Sequence, residues 1–299
     1  AYIFGSNIGN GGVIIFDIHT NPMNPNHLGT FSDFYLHDGM VRGDTLWGAA
    51  IYEGKFYVID VSNKSNPFIL NNGQAFQTTP HAFTHNCWIS DNGETLYTTD
   101  EDGGAFLTSY NVSDLDNIYE LDRIQSNPGS DVIPHNTHVL ENFLITSYYR
   151  DGVIVHDVTY PNNMVEIAHY DAYEGVGDGF DGSWGVFPFL PSGNILSSEI
   201  NSGDNGEGLL LVLKPEYEHA CFFEGSVIDQ NGNHLNNVSV SILETEFETS
   251  TNLLGDYLGG ISSNGTYQMT FELLGFIPET LEVNLNNSEV VVVDVVLNC

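Results

Sequence analysis

Short runs of apolar residues, broken at regular intervals by polar ones, recur along the first two hundred residues. Examples are Ile14-Ile15-Phe16-Asp17-Ile18, Tyr57-Val58-Ile59-Asp60-Val61, Thr108-Ser109-Tyr110-Asn111-Val112 and Ile154-Val155-His156-Asp157-Val158. β-Branched and aromatic side chains suit a pleated surface, so these runs predict strands. Gly, Asn, Asp and Pro punctuate them and supply turns. No stretch shows the 3.6-residue apolar period of an amphipathic helix.

The runs repeat as a block. His37-Asp38-Gly39-Met40, His85-Asn86-Cys87-Trp88, His135-Asn136-Thr137-His138 and Asp181-Gly182-Ser183-Trp184 align, with starts 48, 50 and 46 residues apart. Each is followed by a second strand-like run, Thr45-Leu46-Trp47, Thr95-Leu96-Tyr97, Phe143-Leu144-Ile145 or Ile195-Leu196-Ser197. A third run and an outer one, such as Pro67-Phe68-Ile69-Leu70 or Met164-Val165-Glu166-Ile167, complete the block. Four strands in about 40–50 residues is the period of a β-propeller blade. The expected register puts the His-led segment innermost. Five blades are visible. Tyr2-Ile3-Phe4 already reads as a second strand, and Leu209-Leu210-Leu211-Val212 has no outer strand after it. The expectation is a propeller over residues 1–220, either with further blades upstream of Ala1, the favoured reading, or with a ring that closes on five incomplete blades.

From Glu224 the pattern changes. Gly225-Ser226-Val227-Ile228-Asp229, the turn Asn231-Gly232-Asn233, Val238-Ser239-Val240, Gly265-Thr266-Tyr267 and Val290–Val296 predict about seven short strands. That density of strands and turns argues a small β-sandwich over residues 221–299. Cys221 and Cys299 bracket it, which suggests a disulfide clasp, with Cys87 left over. The fold class is therefore all-β, a propeller followed by a sandwich.

Two family resemblances follow from these residues. The Asp-Val and Asp-Ile strand ends resemble the LVIVD repeat, and His37 through Tyr217 resembles the bacterial choice-of-anchor B surface proteins. Val41-Arg42-Gly43-Asp44-Thr45-Leu46-Trp47, Ile133-Pro134-His135-Asn136-Thr137-His138 and Ser147-Tyr148-Tyr149-Arg150-Asp151-Gly152-Val153 carry that likeness. It implies a secreted or surface-attached propeller, often ahead of a type IX secretion anchor, and implies no reaction. Phe222–Leu297 resembles the carboxypeptidase regulatory-like, transthyretin-like domain. That likeness implies a spacer or adhesive support.

Composition narrows the classes. The 299 residues hold 40 Asp and Glu against 6 Lys and Arg, a net charge of −34. So few cations cannot neutralise a run of phosphates, which excludes nucleic acid and anionic membrane as partners. No apolar run is long enough to span a bilayer as a helix. Eleven acids and no Lys or Arg fall between Phe222 and Cys299, so both halves are acidic. Acidity of that kind suits a hydrated extracellular surface in calcium-containing medium. The chain starts at Ala1, as a processed chain or a fragment would.

The histidines are the sharpest chemical candidates. In the expected register His37, His85, His135 and His138 point to one mouth of the central channel, where Asp181 could complete a transition-metal site. The same spacing would also arise if each blade solved one packing problem. An imidazole would then bond a neighbouring blade's backbone. Arg42 and Arg150 would be paired to acids or would orient a carboxylate. Asp100, Asp102, Asp178, Asp204 and Glu207 lie in Gly-flexed acidic loops that could hold Ca²⁺ or merely be solvated. Trp88 and Trp184 could stack on a glycan or fill the core. Motifs for a nucleophilic serine or cysteine and for a phosphate loop are missing. The leading expectation is a non-enzymatic surface module that binds a protein, a glycan or its own copies. A metal-dependent hydrolase or lyase using the channel-mouth His/Asp/Arg set is the alternative, and a subunit of a surface assembly is a third.

Overall fold

The computed structural model describes residues 1–203 and 205–299. Their contacts divide them into two units, residues 1–155 with 169–215 and residues 156–168 with 216–299. Among the described residues helix is confined to single turns at Gly9–Gly11, Leu70–Gly73 and Tyr149–Asp151.

Five antiparallel sheets follow one another from the N-terminus. The first holds Tyr2–Ile3, Val13–Asp17 and Asn26–Phe31. The second holds Asp38–Arg42, Thr45–Ala50, Lys55–Asp60 and Phe68–Ile69. The third holds Thr84–Ile89, Thr95–Asp100, Leu107–Asn111 and Tyr119–Ile124. The fourth holds Pro134–Leu140, Phe143–Tyr148, Gly152–Asp157 and Val165–Tyr170. The fifth holds Gly182–Phe187, Ile195–Ile200 and Leu209–Leu213. Pairs such as Met40 with Trp47, Trp88 with Tyr97 and His138 with Ile145 place each repeated segment in a hairpin with the run that follows it. The leading strand of the third sheet touches the leading strands of the second and fourth, and that of the fourth touches that of the fifth. The second to fifth sheets thus meet along their leading strands, which is a propeller-like arrangement.

The outer edge of the second sheet departs from expectation. Asn71 and Asn72 adopt left-handed φ of 51°, which ends the strand after Ile69, and Phe76–Thr78 returns to pair with Lys55–Asp60. Asn tolerates that conformation better than other non-glycine residues.

Apolar runs here are continuous because their strands are covered on both faces. In Lys55–Asp60, Tyr57 and Ile59 pack with Val13, Ile15, Phe31 and Leu46 on one side. Phe56 and Val58 pack with Cys87, Ile89, Leu96 and Tyr110 on the other. The period of two sends alternate side chains to opposite neighbours. Burying Phe56 or Val58 completely contributes about 1.5–3 kcal/mol each.

In the second unit Cys221–Asp229 is central to one sheet. It pairs antiparallel with Asp256–Ile261 and parallel with Val290–Val292 and Val295–Leu297. The other sheet runs Glu248–Ser250, Ser239–Ile242, Gly265–Glu272 and Glu279–Leu285. Phe223, Val227, Val240, Ile242, Met269, Phe271 and Leu285 form the sandwich core. Residues 156–168 belong to this unit too. The buried Asp157 accepts hydrogen bonds from the Ala220 N–H at 2.8 Å and from His219 Nδ1 at 2.9 Å, and Val165 packs on Ala220 and Phe222.

The expected clasp between Cys221 and Cys299 is not formed, and all three cysteines are free. Val295–Leu297 runs parallel to Cys221–Asp229, with Leu297 opposite Asp229. Cys299 therefore lies beyond the far end of the strand that Cys221 opens, about 26 Å along at ~3.3 Å per residue. A disulfide needs Cα atoms about 5.5 Å apart.

Candidate functional site

Three histidines of the repeat come together in the first unit. His37 immediately precedes the leading strand of the second sheet, and His85 and His135 are the second residues of the leading strands of the third and fourth. Their rings lie in a row, tilted to one another, with centroids 4.5 Å apart for His37 and His85 and 4.1 Å for His85 and His135. A local irregularity of the hairpins aims them. The pairing shifts where Thr84 to Asn86 face Thr99 and Asp100, and again between Pro134 and Thr137. A bulge of this kind turns a side chain out of the sheet's alternation. The fifth sheet shifts at the matching place, at Trp184.

Glu101 joins the histidines and was not among the residues expected there. It follows the second strand of the third sheet, where the buried Asp100 accepts N–H bonds from His81 at 3.0 Å and Phe83 at 3.2 Å and fixes the loop. One carboxylate oxygen of Glu101 lies 3.6 Å from His85 Nε2 and the other 3.5 Å from His135 Nε2. The Tyr149 hydroxyl donates to it at 2.7 Å. Tyr149 follows the second strand of the fourth sheet as Glu101 follows that of the third, 48 residues earlier. The repeat that exposes the histidines thus also marks this pair.

The outer nitrogens of the row are held. His37 Nδ1 lies 3.0 Å from the Tyr35 hydroxyl, and His135 Nδ1 donates to the Trp184 carbonyl. His85 and His135 are 3% and 4% exposed. Burial, then the neighbouring His135 and His37, pull the His85 imidazolium well below its ordinary range. Burial brings His135 down to about 4. Burial also raises the Glu101 carboxyl, against the Tyr149 hydrogen bond that lowers it. Buried rings in this state are neutral donors of a lone pair, not cations.

Two expected members stand elsewhere. His138 packs on Trp88, with centroids 4.5 Å apart, and on Phe189. Asp181 is held by Arg150 Nη2 at 2.5 Å, by Asn201 Nδ2 at 2.8 Å and by the Tyr173 hydroxyl at 3.2 Å. The guanidinium keeps its carboxyl below the usual range. A carboxylate so engaged has little left to offer a metal. Arg150 also donates to the carbonyl of Asp178 at 2.7 Å and so shapes the loop before the fifth sheet. Arg42 spans two sheets, donating to the carbonyls of Ser90 and Ile89 and lying 3.5 Å from Asp91.

Asp178 lies beside Gly103, but among the described residues no three of the acids in the Gly-flexed loops gather at one point. Asp100 is buried and spent on its loop, Asp102 is exposed beside His81, and Asp178 is exposed. Glu207 accepts the Asn205 N–H at 2.9 Å, and Asp204 lies outside the described residues. Among the described residues these acids share no common point, whereas His37, His85 and Glu101 do. Trp88 is half-buried against His138 and Phe189. Trp184 is 50% exposed beside His135, and Phe180, 57% exposed, packs edge-on against Tyr149.

Residues 223–298 match the family described as CarboxypepD_reg-like domain. The periplasmic gluconolactonase of Pseudomonas aeruginosa is similar in structure at 15% identity and a TM-score of 0.50, covering 68% of this chain and 64% of that one, so the chain spans less than two thirds of it. A protein of Lactobacillus plantarum is similar at 11% identity and a TM-score of 0.50, covering 99% of this chain and 83% of that one. The β-propeller domain of Cps50 from Myceliophteria thermophila is similar at 11% identity and a TM-score of 0.45, covering 72% and 66%. Identities this low speak to the fold alone. No curated protein matches the chain. Among the described residues no helix is long and apolar enough to cross a membrane.

Proposed function

We propose that this chain is a secreted or surface-displayed binding module that recognises a neutral glycan through the histidine-lined mouth of its first unit. The CarboxypepD_reg-like unit would serve as its support. The observation that carries this reading is the row of aromatic rings beside Glu101, Phe180, Tyr149, His135 and Trp184, whose two outer members are about half exposed. Flat rings stack on the apolar faces of sugars, and a few polar groups beside them fix orientation. Half-buried Glu101 and His37 supply those polar groups here. A net charge of −34 disfavours polyanionic glycans. The repeat's likeness to choice-of-anchor B surface proteins supports the location.

Isothermal titration of the full chain with neutral oligosaccharides tests the reading. Binding that weakens about 10-fold or more in Trp184→Ala and Phe180→Ala variants of unchanged melting temperature is the expected result, within the 1–3 kcal/mol that aromatic stacking supplies in comparable sites. No binding across a broad glycan panel would refute it. A second reading, a metal-dependent hydrolase or lyase, draws on the convergence of His37, His85 and Glu101, since Arg150 and Asp181 are taken up by each other. It predicts cleavage of the same saccharides instead of reversible binding.

A further inference from the structure

His37, His85 and Glu101 each offer one ligand atom, and the three atoms lie within 4.8 Å of one another. The His85 and His135 contacts to Glu101, at 3.6 and 3.5 Å, are too long to be good hydrogen bonds. They are close to the roughly 3.4 Å between neighbouring ligands on a tetrahedral ion with bonds of about 2.1 Å. His85 is 3% exposed, so its Nε2 faces Glu101 away from bulk water.

The surroundings prepare the donors as metal sites do. A carbonyl can only accept, so the bond to the Trp184 carbonyl puts the proton of neutral His135 on Nδ1 and leaves the Nε2 lone pair facing Glu101. The Tyr35 hydroxyl can accept the Nδ1 proton of His37 in the same way. The Tyr149 hydroxyl orients the Glu101 carboxylate. Ligating imidazoles characteristically give their other N–H to such a partner, and ligating carboxylates are hydrogen-bonded in turn.

We propose that His37, His85 and Glu101 hold one divalent first-row transition ion, with His135 held against the other Glu101 oxygen beside it. Imidazole with carboxylate suits such an ion, whereas Ca²⁺ and Mg²⁺ take all-oxygen sets. His37 and Glu101 are only half-buried, so the ion would keep a position open to water or to a ligand at the mouth. The proposal goes beyond glycan recognition and does not depend on it.

The test uses the full chain without an affinity tag, stripped with chelator and then titrated with Zn²⁺ and, separately, Co²⁺. The expected result is one tightly bound equivalent by elemental analysis and visible Co²⁺ absorption bands. Glu101→Gln and His37→Asn should abolish stoichiometric binding, and Tyr149→Phe should weaken it about 10-fold. His138→Gln should leave it intact. Because His85→Asn could fail to fold, the two half-buried positions carry the test, with circular dichroism confirming the fold. Failure of the parent chain to bind either ion would overturn the proposal. So would full binding by a folded Glu101→Gln, His37→Asn double variant, which would place the ion on surface histidines. Glycan titration of the same stripped protein reads the other hypothesis separately.

Discussion

The two units are built of the same kind of short strand and differ in what they bury. The sandwich core of the second unit is built on apolar side chains, from Phe223 and Val227 to Phe271 and Leu285, with Thr251 and Thr270 buried beside them and His156 and Asp157 buried in residues 156–168. The leading strands of the first unit bury His85, Asn86, His135 and Thr137, and the second strand of the third sheet buries Thr98, Thr99 and Asp100. Burying polar groups costs free energy unless they are bonded. The difference in degree supports the proposed division, in which the second unit is a support and the first recognises a ligand. It also shows how the first unit stays folded despite its polar interior. Asn86 Nδ2 donates to Asp38 at 2.8 Å while its Oδ1 accepts the Thr137 N–H at 3.1 Å, tying three sheets beside the histidine row.

The largest effect should come from the apolar side of this contrast. Phe223→Ala should destabilise the second unit by about 3–5 kcal/mol in chemical denaturation. Zn²⁺ and glycan binding measured below the transition should be unchanged. Loss of either would show that the division of labour is wrong.

The next effect belongs to the polar side and depends on pH. Burial alone lowers His138 from an ordinary value of 6.5 to about 4. The unfolded chain therefore binds more protons than the folded one between those values, and stability falls as pH drops from about 6.5 towards about 4. The loss amounts to roughly 3 kcal/mol at 1.36 kcal/mol per pH unit. His135 and His85 are depressed by burial in the same range, so His138→Phe should reduce that part of the stability–pH slope, measured by thermal melting, by one proton's share and leave the rest, and an unchanged slope would contradict this account.

The smallest of the three concerns the tie between sheets. Asn86→Ala removes both bonds and leaves the Asp38 carboxylate, whose pKa burial already raises, without its amide partner. A loss of about 1–3 kcal/mol is expected, because an unsatisfied buried group costs its desolvation. A neutral effect would mean that water takes Asn86's place and that the polar interior is wetter than the sandwich core by nature.

Much of the fold was legible in the chain. The 48- to 50-residue spacing and the period of two located the leading strands, and His37, His85 and His135 met as the spacing implied. His138 and Asp181 did not follow. Sequence distance from His135 says nothing of which side a residue takes after the shift between Pro134 and Thr137. Asp181 carries the same repeat position as the histidines, but an arginine from another segment claims it. Glu101 was visible only as one acid among several in a Gly-rich loop.

The amino-acid sequence by itself determined the strand content, the blocks of the first unit, the change of pattern near residue 222 and the acidity that excludes nucleic acid. These depend on local side-chain period and on net charge. Tertiary structure alone decided the membership of the site and the fate of the cysteines. Glu101 reaches His85 and His135 because strands of two neighbouring sheets end at one place. Cys221 and Cys299 are kept apart because the last strand runs parallel to the one that Cys221 opens. Strand direction and cross-sheet approach are set by packing between distant segments, and no local pattern encodes them.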